Sequence, residues 1–190
     1  MTDSVETYED FAIDNIGEWT MVDRDYDFTY RINKDLETYP NESNPKAFQV
    51  CNAKSLGIDI WAEGTPHSGN KFFMAMANIS YVNNDWMISP QLNGTSQVIS
   101  FFAKAFTTQK GTTERMRVLY STTDTDPAHF VQVSRGDYIE LPETWTEYSF
   151  RLPEGAKYFA INCVSPGGKQ SFALFVDDLT FNDLTVPVLK

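Results

Sequence analysis

Run after run of this chain alternates its side chains with a period of two, and that period restricts its fold more than any other property. Ile99, Phe101, Ala103 and Ala105 alternate with Ser100, Phe102, Lys104 and Phe106. Met116, Val118 and Tyr120 alternate with Arg115, Arg117 and Leu119, where the arginines mark a solvent side. Tyr148, Phe150 and Leu152 alternate with Glu147, Ser149 and Arg151, and Phe159, Ile161 and Cys163 with Tyr158, Ala160 and Asn162. Successive side chains of a strand point to opposite faces, whereas a helix would repeat its apolar positions every three or four residues. The runs are short and punctuated by turn formers: Pro40-Asn41, Pro66-His67-Ser68-Gly69, Asn93-Gly94, Lys110-Gly111, Asp126-Pro127, Pro153-Glu154-Gly155 and Pro166-Gly167-Gly168. The expectation is an all-β domain of roughly ten to twelve strands, closed as a two-sheet sandwich or a barrel. Asn93-Gly94, between two strand-like runs, predicts a tight hairpin turn.

Length and charge narrow the possibilities further. The 190 residues suit a single domain spanning 1–190, with a core from about 6 to 182 and a short tail at 183–190. Fifteen Lys and Arg against 26 Asp and Glu give a net charge of −11, which repels phosphate backbones and anionic membrane surfaces. Nucleic acid is therefore excluded as a partner, and so is membrane insertion, because no run approaches the 18 or more apolar residues of a span. The sequence opens on Met1-Thr2-Asp3-Ser4-Val5-Glu6, which is the reverse of a basic, then apolar, leader. This leaves open a cytoplasmic protein or one whose signal has been removed. Cys51 and Cys163 lack metal-ligand spacing and read as two small buried hydrophobes rather than a bridge.

Acidic residues stand out where they are least expected. The stretch from Phe172 to Phe181 is apolar on both faces yet carries Asp177 and Asp178. A carboxylate desolvated there costs several kcal/mol unless a cation or hydrogen-bond donor compensates it. Neighbours on a strand face opposite ways, so this pair suits a metal ligand plus a structural partner better than an acid and base couple. Asp23, Asp25 and Asp27 recur at every second position, as hard oxygen ligands do at the start of a calcium loop. It is not an EF-hand, since Phe28 and Lys34 stand where Gly and Glu would be needed. Glu9, in an apolar setting, is a third acidic point. If the first and last strands are neighbours, Glu9 and Asp177 can share calcium with an Asp of the 23–27 loop; otherwise the loop is simply a solvated acidic one.

Catalytic motifs are lacking. His67 and His129 sit in turns, and no HExxH, GxSxG, GxGxxG or CxxC occurs. A Ser-His-Asp set assembled in space is not readable from sequence.

Eight segments in order resemble the cleaved-adhesin family, which includes the adhesin modules of gingipains and the choice-of-anchor J domains and is similar in plan to MAM domains. They are Glu6–Phe11, Trp19–Asp27, His67–Lys71, Asn84–Leu92, Leu119–Thr123, Trp145–Pro153, Ala156–Ile161 and Phe175–Phe181. The resemblance implies a jelly-roll sandwich of the galactose-binding type, in a secreted or cell-surface bacterial protein. It also implies structural calcium held by Glu9, by Asp25 or Asp27, and by Asp177. Tyr26 replaces the glycine usual in that loop, and the segment Lys34–Pro66 is a longer insertion.

For a ligand, aromatic platforms are the groups to seek. Trp61 within the insertion is the leading candidate, with Tyr39 and Tyr81 behind it; Trp19, Trp86 and Trp145 read as core or strand-edge anchors. The expected function is a non-catalytic adhesin-like module of a larger surface protein, binding carbohydrate or host glycoprotein. A spacer domain without a sugar site is the alternative, and a glycan hydrolase ranks third.

Overall fold

A computed structural model describes residues 1–32, 38–59, 62–107 and 111–187. Twelve strands among them form two antiparallel six-stranded sheets. The first sheet contains β1 (Thr2–Asp3), β3 (Gln49–Asn52), β4 (Lys71–Met76), β6 (Gln97–Phe106), β10 (Thr146–Leu152) and β12 (Ala173–Thr180). Its order is β10-β6-β12-β4-β3, with β1 on the end of β12. The second contains β2 (Thr20–Asp23), β5 (Asp85–Ile88), β7 (Glu114–Ser121), β8 (Val131–Gln132), β9 (Ile139–Leu141) and β11 (Tyr158–Cys163). Its order is β2-β5-β11-β7-β8, with β9 also on β7. Of the two closures that the alternation allows, sandwich or barrel, this is the all-β two-sheet sandwich, in the jelly-roll form that the family resemblance implies. Among the described residues no helix is long and apolar enough to cross a membrane.

Alternation explains the layers. Phe101 and Ala103 of β6, Val118 of β7, Phe159 and Ile161 of β11 and Leu174 and Val176 of β12 all point into one central core between the sheets. The opposite faces of β4 and β12 do not meet water. Phe72, Met74, Ala173 and Phe175 lie beneath the segment that leads to β3 and β4, together with Ile32, Tyr39, Leu56 and Ile58. The apolar character of β12 on both faces follows from this central, doubly covered position. Tyr39 is spent on that second core: it is buried and its ring packs 5.2 Å from Phe11, so it offers no platform to a ligand. Trp61 lies outside the described residues.

One turn expectation needs correction. Asn93-Gly94 is not a hairpin turn, because β5 and β6 belong to different sheets; Gly94, at φ 79°, bends a crossover between them. The described part of the tail is fastened to the 91–93 segment, since Leu184 N donates to the Gln91 carbonyl and Asn93 Nδ2 to the Val186 carbonyl. Cys51 and Cys163 are free and buried, as expected. The sandwich is sealed at its first strand by Asp3, which accepts from Val5 N, Tyr8 Oη and Trp19 Nε1 at 2.9, 2.5 and 2.7 Å.

Candidate binding edge and cation site

Asp177 is fully buried, and backbone N–H groups compensate it. Its Oδ2 accepts from His67 N and Ser68 N at 3.0 and 3.2 Å, and Oδ1 from Asp178 N at 2.8 Å. Burial nevertheless wins and pushes its carboxyl up to about 7. Asp178 does not face the other way, as simple alternation predicts. Its φ of 48° and a register shift after Asp177 turn it back, so it accepts from Ser68 Oγ at 2.9 Å and meets His67 Nδ1 at 2.6 Å. Both acids therefore hold one turn, and Glu6 holds its other half by accepting from Asn70 N and Lys71 N at 2.7 Å. Ser68, His67 and Asp178 stand together without forming a relay: the serine hydroxyl donates to Asp178, not to the imidazole.

Glu9 is not drawn into this cluster; it is exposed on a hollow of about 270 Å³ shared with Asp10, Phe11 and Asn41. The first and last strands are neighbours, with Thr2 opposite Thr180, but Glu9 lies beyond β1. Asp25 and Asp177 do not share a site either. Among the described residues one set of three acids gathers closely enough for a metal: Asp23, Asp25 and Asp85, with carboxylate oxygens within 4.8 Å of one another.

The β2–β5 register builds this set by placing Asp23 directly opposite Asp85. Like charges in that position repel. Asp85 is fully buried; its Oδ2 accepts from Asn83 Nδ2 at 2.6 Å, and its Oδ1 has no hydrogen-bond partner. Burial, and then Asp25, push its carboxyl well above the usual range. Asp23 is raised too, first by burial, although its Oδ1 accepts from Asp25 N and Tyr26 N. The nearby cation, Lys46, is engaged with Thr29 Oγ1 and the carbonyls of Asn41 and Asn44, and burial lowers it to about 8. Three clustered carboxylates with an unpartnered buried oxygen fit a hard divalent cation such as calcium.

The loops around this cluster carry the exposed aromatics. Asp25 Oδ2 accepts from Asn84 N at 2.6 Å, and Asp27 Oδ2 from Ser80 N and Tyr81 N at 2.7 and 3.0 Å, which ties the 24–28 loop to the 79–84 loop. Tyr26, Phe28 and Tyr81 are 76%, 59% and 67% exposed, and Ile79 and Val82 are exposed beside them. Of the three ligand candidates, Tyr81 stands in the open; Tyr26 and Phe28 are exposed as well, which the sequence does not show, because it does not say which aromatics a loop turns outward. Asp27 thus serves as a loop clasp.

Gly167 supports this edge from below. At φ 71° it places its Cα against the Tyr81 carbonyl, where an added Cβ would lie 1.9 Å from the oxygen. Gly167→Ala is expected to cost about 2 kcal/mol, or about 4–8 °C in melting temperature, by forcing the loop away. A thermal melt checks this; an unchanged midpoint would show that the loop is not seated on Gly167.

Beside the edge, a cavity of about 430 Å³ is lined by Val82, Asn83, Asn84, Arg115, Arg117, Tyr138 and Val164. No protein-family model matches the chain, and no curated protein sequence does. Solved structures do match. The K2 cleaved adhesin domain of Lys-gingipain superposes with a TM-score of 0.72 at 16% identity, covering 96% of this chain and 98% of that one. This chain has the fold of the cleaved adhesin domains. The K1 domain from Porphyromonas gingivalis W83 gives 0.66 at 16% identity, covering 96% and 97%, and the K3 domain gives 0.60 at 18%, covering 94% of each. Cleaved adhesin domains are therefore what this chain resembles in fold across nearly its whole length.

Proposed function

We propose that the chain is a non-catalytic, adhesin-like module that binds carbohydrate, free or on a host glycoprotein, as part of a larger secreted or cell-surface protein. In this reading calcium is bound by Asp23, Asp25 and Asp85. What it supplies is charge: it neutralises the buried acids and stiffens the two loops they join. The observation that carries the binding reading is the displayed edge, where Tyr26, Phe28 and Tyr81 stand exposed on interlocked loops beside the 430 Å³ cavity. Aromatic faces held on a rigid frame are suited to stacking on sugar rings, with polar groups nearby for hydroxyls.

A glycan array probed with wild type and with Tyr81→Ala tests this. Specific hits are expected for wild type, weakened about tenfold in the variant by the loss of about 1.4 kcal/mol of stacking. Stability is expected to stay unchanged, because Tyr81 is mostly exposed. A silent array would favour the spacer reading.

A further inference from the structure

Building on the carbohydrate-binding reading, we infer that the cavity beside Tyr81 selects an acidic sugar residue, one bearing a single carboxylate or sulfate, through Arg115 and Arg117. The two arginines are two residues apart on β7, so their side chains rise from the same face of the second sheet. Each guanidinium is held by one contact, Arg115 by its face and Arg117 by its Nε edge. Arg115 lies over the Tyr138 ring, 4.3 Å from its centre, and Arg117 Nε donates to the Asp137 carbonyl at 2.7 Å. Among the described residues, the terminal nitrogens of neither make a hydrogen bond. The carboxylate paired with Arg115 is Glu140, at 3.9 Å on Nε and itself largely exposed, which is too far and too wet to satisfy the guanidinium. Two pre-oriented forks therefore line one cavity with donors to spare, and a planar carboxylate or a sulfate matches that geometry.

The remaining lining selects a sugar over a bare anion. Asn84 Oδ1 is occupied by Trp86 Nε1 at 2.7 Å, which turns its NH2 into a free donor for a hydroxyl. Tyr138, Val82 and Val164 add apolar surface for a ring's C–H face. About 430 Å³ is within the range of small-ligand sites. The net charge of −11 argues against a long polyanion, whose many charges would meet the acidic remainder of the surface. One charge at short range from two arginines is favoured instead, since more distant charges are screened beyond about 8 Å at physiological salt.

The test is calorimetric titration with paired oligosaccharides: a uronate-terminated one against its carboxyl-reduced form, and a sulfated one against its desulfated form. The expected result is at least tenfold tighter binding of one charged member than of its neutral twin, and which pair responds identifies the acid. Arg115→Gln and Arg117→Gln are expected to reduce that preference to within twofold. Arg117→Lys, which keeps the charge but loses the fork, retains part of it. Melting curves on each variant verify folding, and Arg117→Lys carries the test if a Gln variant does not fold. Equal binding of charged and neutral twins, or a preference that survives both Gln variants, overturns the inference while leaving carbohydrate binding intact. Absence of binding to every oligosaccharide overturns both.

Discussion

Calcium added to cation-free protein, at a hundredfold excess over its dissociation constant, is expected to raise the melting temperature by about 5–10 °C. At that excess a ligand specific to the folded state contributes about 2.7 kcal/mol, and a domain of this size shifts about 2–4 °C per kcal/mol. Asp85→Asn is expected to erase the response and, in the cation-free protein, to raise stability by about 1–3 kcal/mol. The two effects share one cause. Asp85 is buried opposite Asp23, with Oδ1 unpartnered, so its charge is a liability until a cation joins it. An asparagine of the same shape removes that charge. Thermal melts with chelator and with calcium, on wild type and Asp85→Asn, read both effects. A variant that is less stable without calcium, or that still responds to it, would place the cation elsewhere.

A second large effect concerns pH. In chelator, stability is expected to fall as pH rises from about 4 to about 7. Burial raises Asp177 and Glu114 to about 7. The folded state therefore holds protons that the unfolded chain has already released, and the stability conferred by the neutral forms disappears as pH climbs through the folded values. At 1.36 kcal/mol per unit, each group contributes on the order of 3 kcal/mol across that window. Glu114 is as well placed as Asp177 for this. It is fully buried, Oε1 accepts from Phe172 N, and Oε2 has no partner. Asp85 adds to the fall in chelator and is relieved by calcium. Melts between pH 5 and pH 8 are expected to show the higher midpoint at pH 5, with a shallower slope in calcium. A midpoint that rises with pH would mean that these carboxyls are ionised at little cost in the fold.

How far the fold could be read from the chain depends on which information is local. The alternation in β6, β7, β10 and β11 is local, and each of those runs is a strand at or near its expected place. Their inward positions face the central core. Register between strands is not local. Nothing near Asp85 announces that it faces Asp23; the residue stands at the head of Asp85-Trp86-Met87-Ile88, where its only signal is an acid entering an apolar strand. The acidic loop was legible as a candidate ligand source through Asp25, whereas its partners required the β2–β5 pairing. Asp178 defeated a two-residue period because its left-handed backbone breaks the alternation at that point. Tyr39 and Tyr81 look equivalent by their turn neighbours, and only the packing of the insertion onto the outer face of β4 and β12 separates the buried ring from the exposed one. The alternation puts Arg115 and Arg117 on the outer face of β7, where both are half-buried, but the cavity beside them is formed by loops that meet only in the folded chain.

Backbone-amide NMR with the tightest-binding oligosaccharide from the array tests the central claim most directly, because it locates the site without presuming it. Saturable shifts are expected at residues 79–84 and at Arg115, Arg117 and Tyr138, with the Glu9–Asn15 hollow silent. Shifts centred on that hollow, or spread without saturation over the whole surface, would contradict a binding edge at Tyr81.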